Sequence, residues 1–300
     1  MNSVESWRER LGPLGVWTPT DGLPVADATD LVRGIESLGY SAVWLPDTMG
    51  RDPFAHISLL AERTSSLVFA TGIASIHHRH PGAMHQVANT IAEQTGGRFV
   101  LGLGVSHAPF VEGVRGLDYS KPLTTMRNYL EAMDAAPYMA PAPEDAPPRL
   151  LAALGPKMLE LSGKNADGAH PYWTTPAHTA TAREILGAHK LLCVEQKVVL
   201  TEDAEVARRT ARGALGVYAG LPNYRNNWLR LGFSEEDIDT QSDSFIDGLV
   251  AWGGADAIRA RLDEHIEAGA DHVCIQPLTP DHPFHADDAA LAALAPQEAG

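Results

Sequence analysis

Eight short, mainly apolar runs recur along this chain of 300 residues, and they limit its possible folds most strongly. They cover residues 14–17, 42–45, 67–73, 99–105, 150–154, 169–173, 191–200 and 272–277. None alternates polar with apolar side chains, as a strand with one solvated face would, so we expect both faces of each to be buried. Helical patterns separate most of the runs, which predicts a parallel α/β fold. Eight such units favour a (β/α)8 TIM barrel over the alternative, a doubly wound open sheet.

One segment, residues 219–250, departs from this rhythm. It contains LPNYRNNWLRLGF and then the acidic SEEDIDTQSDSF, which we interpret as a helical insertion after strand seven. Its aromatic residues, such as Tyr224 and Trp228, fit either a lid over a site or a subunit contact. We therefore expect residues 1–280 to form a single barrel with this insertion. The Ala- and Asp-rich C-terminal tail, residues 281–300, is expected to pack outside it.

Composition and charge argue against several classes of partner. The formal net charge of −15 and the isoelectric point near 5.2 do not suit nucleic acid or an anionic membrane. Cys193 and Cys274 both lie in apolar runs, which indicates reduced core thiols. The polar start MNSVESWRER does not fit a signal peptide, and no apolar run approaches the roughly 20 residues of a membrane span. We expect a cytoplasmic protein that acts on a small molecule.

The stretch from residue 150 to residue 178 carries the clearest binding signal. An apolar run ends at Gly155 and Pro156, and a helical pattern with Lys157 in its first turn follows. Glycine lets a ligand approach the backbone closely, and proline is favoured at the first position of a helix. The free backbone N–H groups of such a helix start bind anions, phosphate above all. The alternative is that Gly155 and Pro156 form only an efficient strand-to-helix turn.

Barrel enzymes place their active sites at the carboxyl ends of the strands, so polar residues there are the candidates for chemistry. His107 follows the fourth run, and an imidazole titrates near neutrality, so it is either the proton-transfer group or a hydrogen-bonding loop residue. Asp47 follows the second run and fits three roles: orienting a bound ring, orienting His107, or capping the next helix. His170 fits either cofactor contact or closure of the barrel mouth. Apolar walls with a few such groups suit a planar aromatic ligand that carries phosphate.

Two further patterns have simpler explanations than the chemistry they suggest. His77, His78, His80 and His85 cluster, but they lack clear tetrahedral spacing and no carboxylate or cysteine joins them. We therefore predict no metal site and expect surface histidines on a loop beside a bound ring. The GLG at residues 102–104 lacks the third glycine of a dinucleotide fingerprint and lies inside a strand. This position favours close barrel packing over NAD binding.

Five motifs in this order resemble the luciferase-like flavin-dependent barrel superfamily, and specifically its actinobacterial branch that uses the deazaflavin F420. The motifs are VWLPD at 43–47, TGIASIHHRHP at 71–81, GGRFVLGLGVSH at 96–107, LLAALGPKMLEL at 150–161 and ADGAHPY at 166–172. No motif alone is specific, whereas their order and spacing together are, and the match extends over nearly the whole chain. The resemblance implies a (β/α)8 barrel with an insertion after strand seven.

The resemblance also implies where a cofactor lies. The tricyclic ring lies over a bulge after strand three that often contains a non-prolyl cis peptide, here Gly72–Ile73. The phosphate-bearing tail lies near the turn after strand five, and an aspartate at the end of strand two lies near the ring. With the strand ends, this gives the expected cofactor-binding residues: Asp47, Ile73, Ala74, Ser75, Ser106, His107, Gly155, Pro156, Lys157, His170 and Pro171.

We therefore predict an F420-dependent oxidoreductase that transfers hydride between C5 of the deazaflavin and an organic substrate, with His107 and Asp47 as catalytic residues. An FMN-dependent monooxygenase and a non-catalytic flavin-binding barrel are the alternatives. Thr48 departs from the histidine of many F420 members, and His107 departs from the acidic residue of the sugar-phosphate dehydrogenases. A glucose-6-phosphate dehydrogenase is therefore not expected. The resemblance implies a homodimer, and residues 106–121 and 219–250 are expected to select the substrate.

Overall fold

The structure of the protein, a computed structural model, describes residues 4–280 and 285–297. Eight parallel strands form a closed barrel. They are β1 (Leu14–Trp17), β2 (Ala42–Leu45), β3 (Val68–Thr71), β4 (Phe99–Gly104), β5 (Arg149–Leu151), β6 (Gly168–Ala169), β7 (Leu191–Leu200) and β8 (His272–Pro277). Neighbours in the barrel follow chain order, and β8 closes it by pairing with both β1 and β7. The predicted (β/α)8 TIM barrel is confirmed, and the open sheet is excluded.

Helices surround the barrel, and several begin at a proline, whose fixed φ is already helical and whose missing N–H has no partner to lose. The α-helices are Val4–Leu11, Val25–Ser37, Pro53–Ala61, Pro81–Gln94, Pro122–Asp134, Pro156–Asn165, Pro176–Leu186, Ala204–Leu215, Pro222–Arg230, Glu235–Thr240, Asp243–Leu249, Ala255–Glu267 and Asp288–Leu294. A π-helix, Pro109–Val114, and a 3₁₀ helix, Gly216–Gly220, complete the set. Within residues 4–280 and 285–297, no helix combines the length and the apolar character needed to cross a membrane.

Each strand buries both of its faces, which explains why the apolar runs do not alternate with polar residues. In β2, Val43 and Leu45 pack in an outer core with the surrounding helices. Ala42 and Trp44, on the other face, pack in an inner core with residues of the other strands. The N-terminal helix, Val4–Leu11, adds its own apolar side chains to this inner core. The sequence did not reveal that helix, because its charged composition hides the few residues that it buries.

Inward-facing glycines allow close packing inside the barrel. A Cβ on Gly102 would overlap the carbonyl oxygen of Thr71, and a Cβ on Gly168 would overlap that of Leu191. The structure thus assigns Gly102, in the GLG motif, the packing role that the sequence favoured. Cys193 is a buried free thiol in the same interior.

Four strands end before the predicted residue: β4 ends at Gly104 and β5 at Leu151, and β3 and β6 are shortened as well. β3 ends at Thr71 rather than at residue 73; a two-residue strand, Ala74–Ser75, then pairs with β4. The Gly72–Ile73 peptide between them is cis, which confirms the position that the family resemblance implied. β6 ends at Ala169 rather than at residue 173. The backbone of Trp173 has φ of +56°, in the left-handed region, where a strand cannot continue.

Residues 222–249 contain three helices, which lie in the chain between β7 and the last barrel helix. Their apolar side chains, including Trp228 and Phe245, form a separate core with Trp173. A short strand that the sequence did not reveal, Val250–Gly253, pairs in parallel with the end of β7. The division into one barrel domain, an insertion and a tail remains a prediction. The tail prediction falls partly outside the described residues, since 281–284 and 298–300 are not among them.

Alanine at Gly168 should destabilise the barrel. Its Cβ would lie 2.7 Å from the carbonyl carbon of Leu191, which is strand backbone and cannot move aside. We expect the free energy of unfolding to fall by about 1–3 kcal/mol. The matched control is Gly213→Ala, since Gly213 lies in a helix and its new Cβ would have no heavy atom within 4 Å. That change should add about 0.5–1 kcal/mol, and equal effects in urea unfolding would contradict the packing argument.

Stability should fall with pH below neutrality. Burial lowers the pKa of His265 to about 3 and those of His170 and His272 to about 4. The unfolded chain takes up these protons below about pH 6.5, whereas the folded protein does so only near pH 4. In that window the unfolded state binds more protons, so each histidine contributes up to about 1.4 kcal/mol of lost stability per pH unit.

Urea unfolding at about pH 7.5 and about pH 5 measures this loss. The variant His265→Gln removes one of the three titrating groups and should show a smaller loss between the two conditions. If His265→Gln lost as much stability as the wild type between the two pH values, the acid sensitivity could not be assigned to the buried histidines.

Candidate active site

A cavity of about 970 Å³ opens at the carboxyl ends of the barrel strands. The predicted residues that line it are Asp47, Ile73, Ser106, His107, Gly155, Pro156, Lys157 and His170. Three other predicted residues are buried outside the lining: Ala74, Ser75 and Pro171. Ala74 packs in the outer core, and Ser75 contributes its backbone N–H instead of its side chain. Ala74 and Pro171 each directly follow a lining residue, and the side chains of neighbouring residues in an extended segment face opposite ways.

The turn after β5 presents the groups predicted to bind an anion. Gly155 is the N-cap of the helix Pro156–Asn165, and no side chain of the described residues caps it, which leaves backbone N–H groups for a ligand. Lys157 lies in the first turn of that helix. A Cβ on Gly155 would lie 3.5 Å from Nη2 of Arg230, so a second cation lies over the same turn. A phosphate here would meet a helix N-terminus, an ammonium and a guanidinium.

His178 fixes this turn from the adjacent helix. Its Nε2–H donates to the Leu154 carbonyl at 2.9 Å, and the ring is buried. Burial lowers the pKa of His178 from its usual value, so the ring is neutral at pH 7 and serves as a structural donor. The turn is therefore held in place before any ligand binds.

His170 lies at the bottom of the cavity. Its Nδ1–H donates to the Cys193 carbonyl at 2.9 Å, and its ring stacks on Trp44 with centroids 4.3 Å apart. Burial lowers the pKa of His170 to about 4, so the ring is neutral at pH 7. Beside it, Nε1–H of Trp17 donates to the Gly72 carbonyl at 2.9 Å and holds the segment after β3. The bottom of the cavity is thus flat, aromatic and uncharged.

Asp47 holds the segment that follows β3. Its Oδ2 accepts from the Ser75 N–H at 3.1 Å and from His78 Nδ1 at 2.8 Å. The side chains of Asp47 and His78 are 7% and 14% exposed, and both residues line the cavity. The next helix, Pro53–Ala61, is capped by Asp52 instead. Of the three roles that the sequence left open for Asp47, capping is therefore excluded.

His107 lies on the wall that the insertion contributes. Its ring centroid is 5.5 Å from that of Tyr224 and 6.4 Å from that of Tyr218, and its side chain hydrogen-bonds to Asn223. Nδ1 is buried and has no partner among the described residues. Burial lowers the pKa of His107 from its usual value. Asp47 binds His78 rather than His107, so the contact that the sequence allowed between Asp47 and His107 is not present.

A buried ion pair supports the aromatic part of the wall. Nζ of Lys197 lies 3.0 Å from Glu195 Oε1, 3.6 Å from the centroid of the Tyr172 ring and 3.8 Å from that of Trp173. Burial lowers the pKa of Lys197 to about 8 and raises that of Glu195. Oε2 of Glu195 also accepts from the Trp173 N–H at 3.2 Å. The pair therefore fixes the turn that carries Tyr172 into the cavity.

The clustered histidines separate into different roles. His80 is the N-cap of the helix Pro81–Gln94 and accepts from the Gly82 N–H. His85 lies one turn further along and contacts Asn89. His78 alone among the clustered histidines lines the cavity. The loop therefore lies beside the cavity, and one of the clustered histidines, His78, faces into it.

Several lining residues were not named individually as site candidates from the sequence: His78, Tyr172, Tyr218, Asn223 and Arg230, of which Asn223 and Arg230 lie in the segment 219–250 that was expected to select the substrate. The pair of histidines after the third run gave a usable signal for His78, but it was interpreted as a surface feature. Arg230 gave none, because only the docking of the insertion against the barrel brings it to Gly155.

Comparisons with known proteins agree with this geometry. A Mycobacterium tuberculosis protein whose name assigns it to the coenzyme F420-dependent oxidoreductases is 26% identical, over 83% of this chain and 89% of its own. The 5,10-methylenetetrahydromethanopterin reductase of Methanolobus tindarius is 25% identical, over 87% and 86%. The solved F420-dependent tetrahydromethanopterin reductase from Methanopyrus kandleri shares the fold, with a TM-score of 0.71 at 17% identity over 94% and 97% of the chains. The luciferase-like monooxygenase family model matches residues 11–272, and the chain belongs to that family.

Proposed function

We propose that this protein is an F420-dependent oxidoreductase that binds the deazaflavin in the cavity and acts on an organic small molecule. The observation that carries the proposal is the anion cradle at the turn after β5: Arg230 Nη2 lies over Gly155, Lys157 is in the first turn of the helix that follows, and all three residues line the cavity. Two relatives at 25–26% identity are named for F420-dependent or methanopterin reductase activity, which supports the same cofactor class.

The residues present fit such a group. A phosphate-bearing tail needs uncapped N–H groups and cations, which the turn after β5 provides. A flat ring needs a flat apolar surface, which Ile73 and the Trp17 side chain provide beside His170. A cavity of about 970 Å³ lies within the range of small-molecule and cofactor sites.

When bound, F420 supplies hydride chemistry at C5 of its ring. The protein's own residues bind and orient it. The turn after β5 holds the phosphate, and Asp47 and Ile73 lie beside the ring. The aromatic wall of Tyr172, Tyr218 and Tyr224 excludes water from the reacting face. Ser106, His107 and His170 remain proposed cofactor contacts, and a homodimer remains the proposed assembly.

Calorimetric titration of the purified protein with F420 and, separately, with FMN tests the proposal. We expect micromolar binding of F420 and a raised melting temperature with it. Micromolar FMN binding without F420 binding would instead support a flavin-dependent monooxygenase. F420 binding with no turnover in a broad screen of acceptors would support a non-catalytic flavin-binding barrel.

The anion cradle predicts which charges matter for affinity. Arg230→Gln and Lys157→Gln should each weaken F420 binding about tenfold or more, since each removes a charge-assisted contact to phosphate. The matched control is Lys164→Gln, because Lys164 lies in the last turn of the same helix and pairs with Glu160 at 3.6 Å. Equal affinity in all three variants would place the phosphate elsewhere.

A further inference from the structure

We infer that Asp47 and His78 form the proton-transfer pair of this cavity, and that Nε2 of His78 is the atom that gives or takes the proton. This inference rests on the proposed function and specifies which residues of the site carry its proton. The sequence pointed to His107 for this role, and the structure favours His78 instead.

The contact geometry defines the pair. Nδ1 of His78 lies 2.8 Å from Asp47 Oδ2, and a carboxylate can only accept, so Nδ1 carries the hydrogen. In the neutral ring Nε2 is then a bare acceptor, and in the charged ring it is a donor. The backbone of His78 is also held, since its N–H donates to the Ser75 carbonyl at 3.2 Å. The imidazole is thus oriented by a buried carboxylate, as an acid or base must be for efficient transfer.

His107 is less suited to the same task. Its Nδ1 is buried without a partner among residues 4–280 and 285–297, and its side chain already bonds Asn223. Among the described residues, the side-chain partner of His107 is Asn223 and not a carboxylate, whereas Asp47 contacts His78. His78 therefore has both a carboxylate that orients its ring and a position in the lining of the cavity.

The proton step balances with the cofactor as the two-electron donor. In the reducing direction, a polarised double bond of the substrate gains a hydride at carbon with both electrons. The Nε2–H bond of His78 breaks, its electron pair stays on the ring, and the proton joins the heteroatom of the substrate. F420H2 would supply both electrons of that hydride, the proton that it gives up on oxidation would pass to solvent, and Nε2 of His78 would be protonated again from solvent.

The ionisable surroundings of His78 are few. Asp47 faces it from the loop after β2, and His77 precedes it on its own segment and interacts with it electrostatically. Arg115, which donates to the Thr48 carbonyl at 3.4 Å, approaches from the segment after β4 and also lines the cavity. The negative carboxylate is the only one of these groups in direct hydrogen-bond contact with the ring among the described residues.

The test compares His78→Asn, His107→Asn and the control His80→Asn. In His78→Asn the amide nitrogen of the new side chain occupies the place of Nδ1, so it keeps a donor for Asp47 but has no group that titrates. We expect His78→Asn to keep the F420-induced rise in melting temperature and to lose about 10²–10⁴ in kcat with F420H2 and an accepted substrate. His80→Asn should match the wild type, because asparagine also caps helices.

A measurement without substrate tests the protonation of His78 independently of turnover. Long-range ¹H–¹⁵N spectra of the protein without ligand should show neutral His78 protonated at Nδ1, with the signal assigned by its absence in His78→Asn. Protonation at Nε2, a loss of F420 binding in His78→Asn, or a greater fall in kcat for His107→Asn would each overturn the inference. Absence of F420 binding in all proteins, wild type included, would instead count against the proposed function.

Discussion

The closure of the parallel sheet on itself is the constraint on which the rest of the structure depends. Because β8 pairs with both β1 and β7, none of the eight barrel strands has a free edge, and each is buried on both faces. The interior is packed closely: Gly102 and Gly168 lie where strand backbones approach each other, and larger side chains such as Trp44 and Leu150 fill the rest. Closure also brings the carboxyl ends of all the strands to one mouth, where residues distant in sequence meet.

The electrostatics of that mouth follow from burial in a chain of net charge −15. His170 and His178 are buried and stay neutral, so they act as hydrogen-bonding scaffolds. In the described part of the chain, three cationic side chains line the cavity: Lys157 and Arg230 at the turn after β5, and Arg115 on the segment after β4. Under the proposed function, the anionic ligand is held by a local site against the overall field, and the turn after β5 offers its charged tail two cations and a helix N-terminus.

The barrel, the position of the cis peptide and the turn after β5 could be predicted from the sequence. Each depends on a local residue pattern or on a motif that aligns with the family. The sequence did not reveal the partner of Asp47, which contacts His78 rather than His107. It also missed Arg230, whose position depends on how the insertion packs against the barrel. The end of β6 was placed too late, and nothing local signals the left-handed conformation of Trp173 at the predicted end of the strand. Contacts that depend on tertiary packing were the ones that the sequence did not reveal.

The central claim is that a flat cofactor lies in the cavity with its phosphate at the turn after β5. A crystal structure of the protein grown with F420 tests this most directly. The account predicts ring density beside Ile73 and phosphate density within hydrogen-bond distance of the N–H groups at the start of Pro156–Asn165 and of Arg230. Ring density elsewhere, or a phosphate that touches neither the helix start nor Arg230, would contradict it.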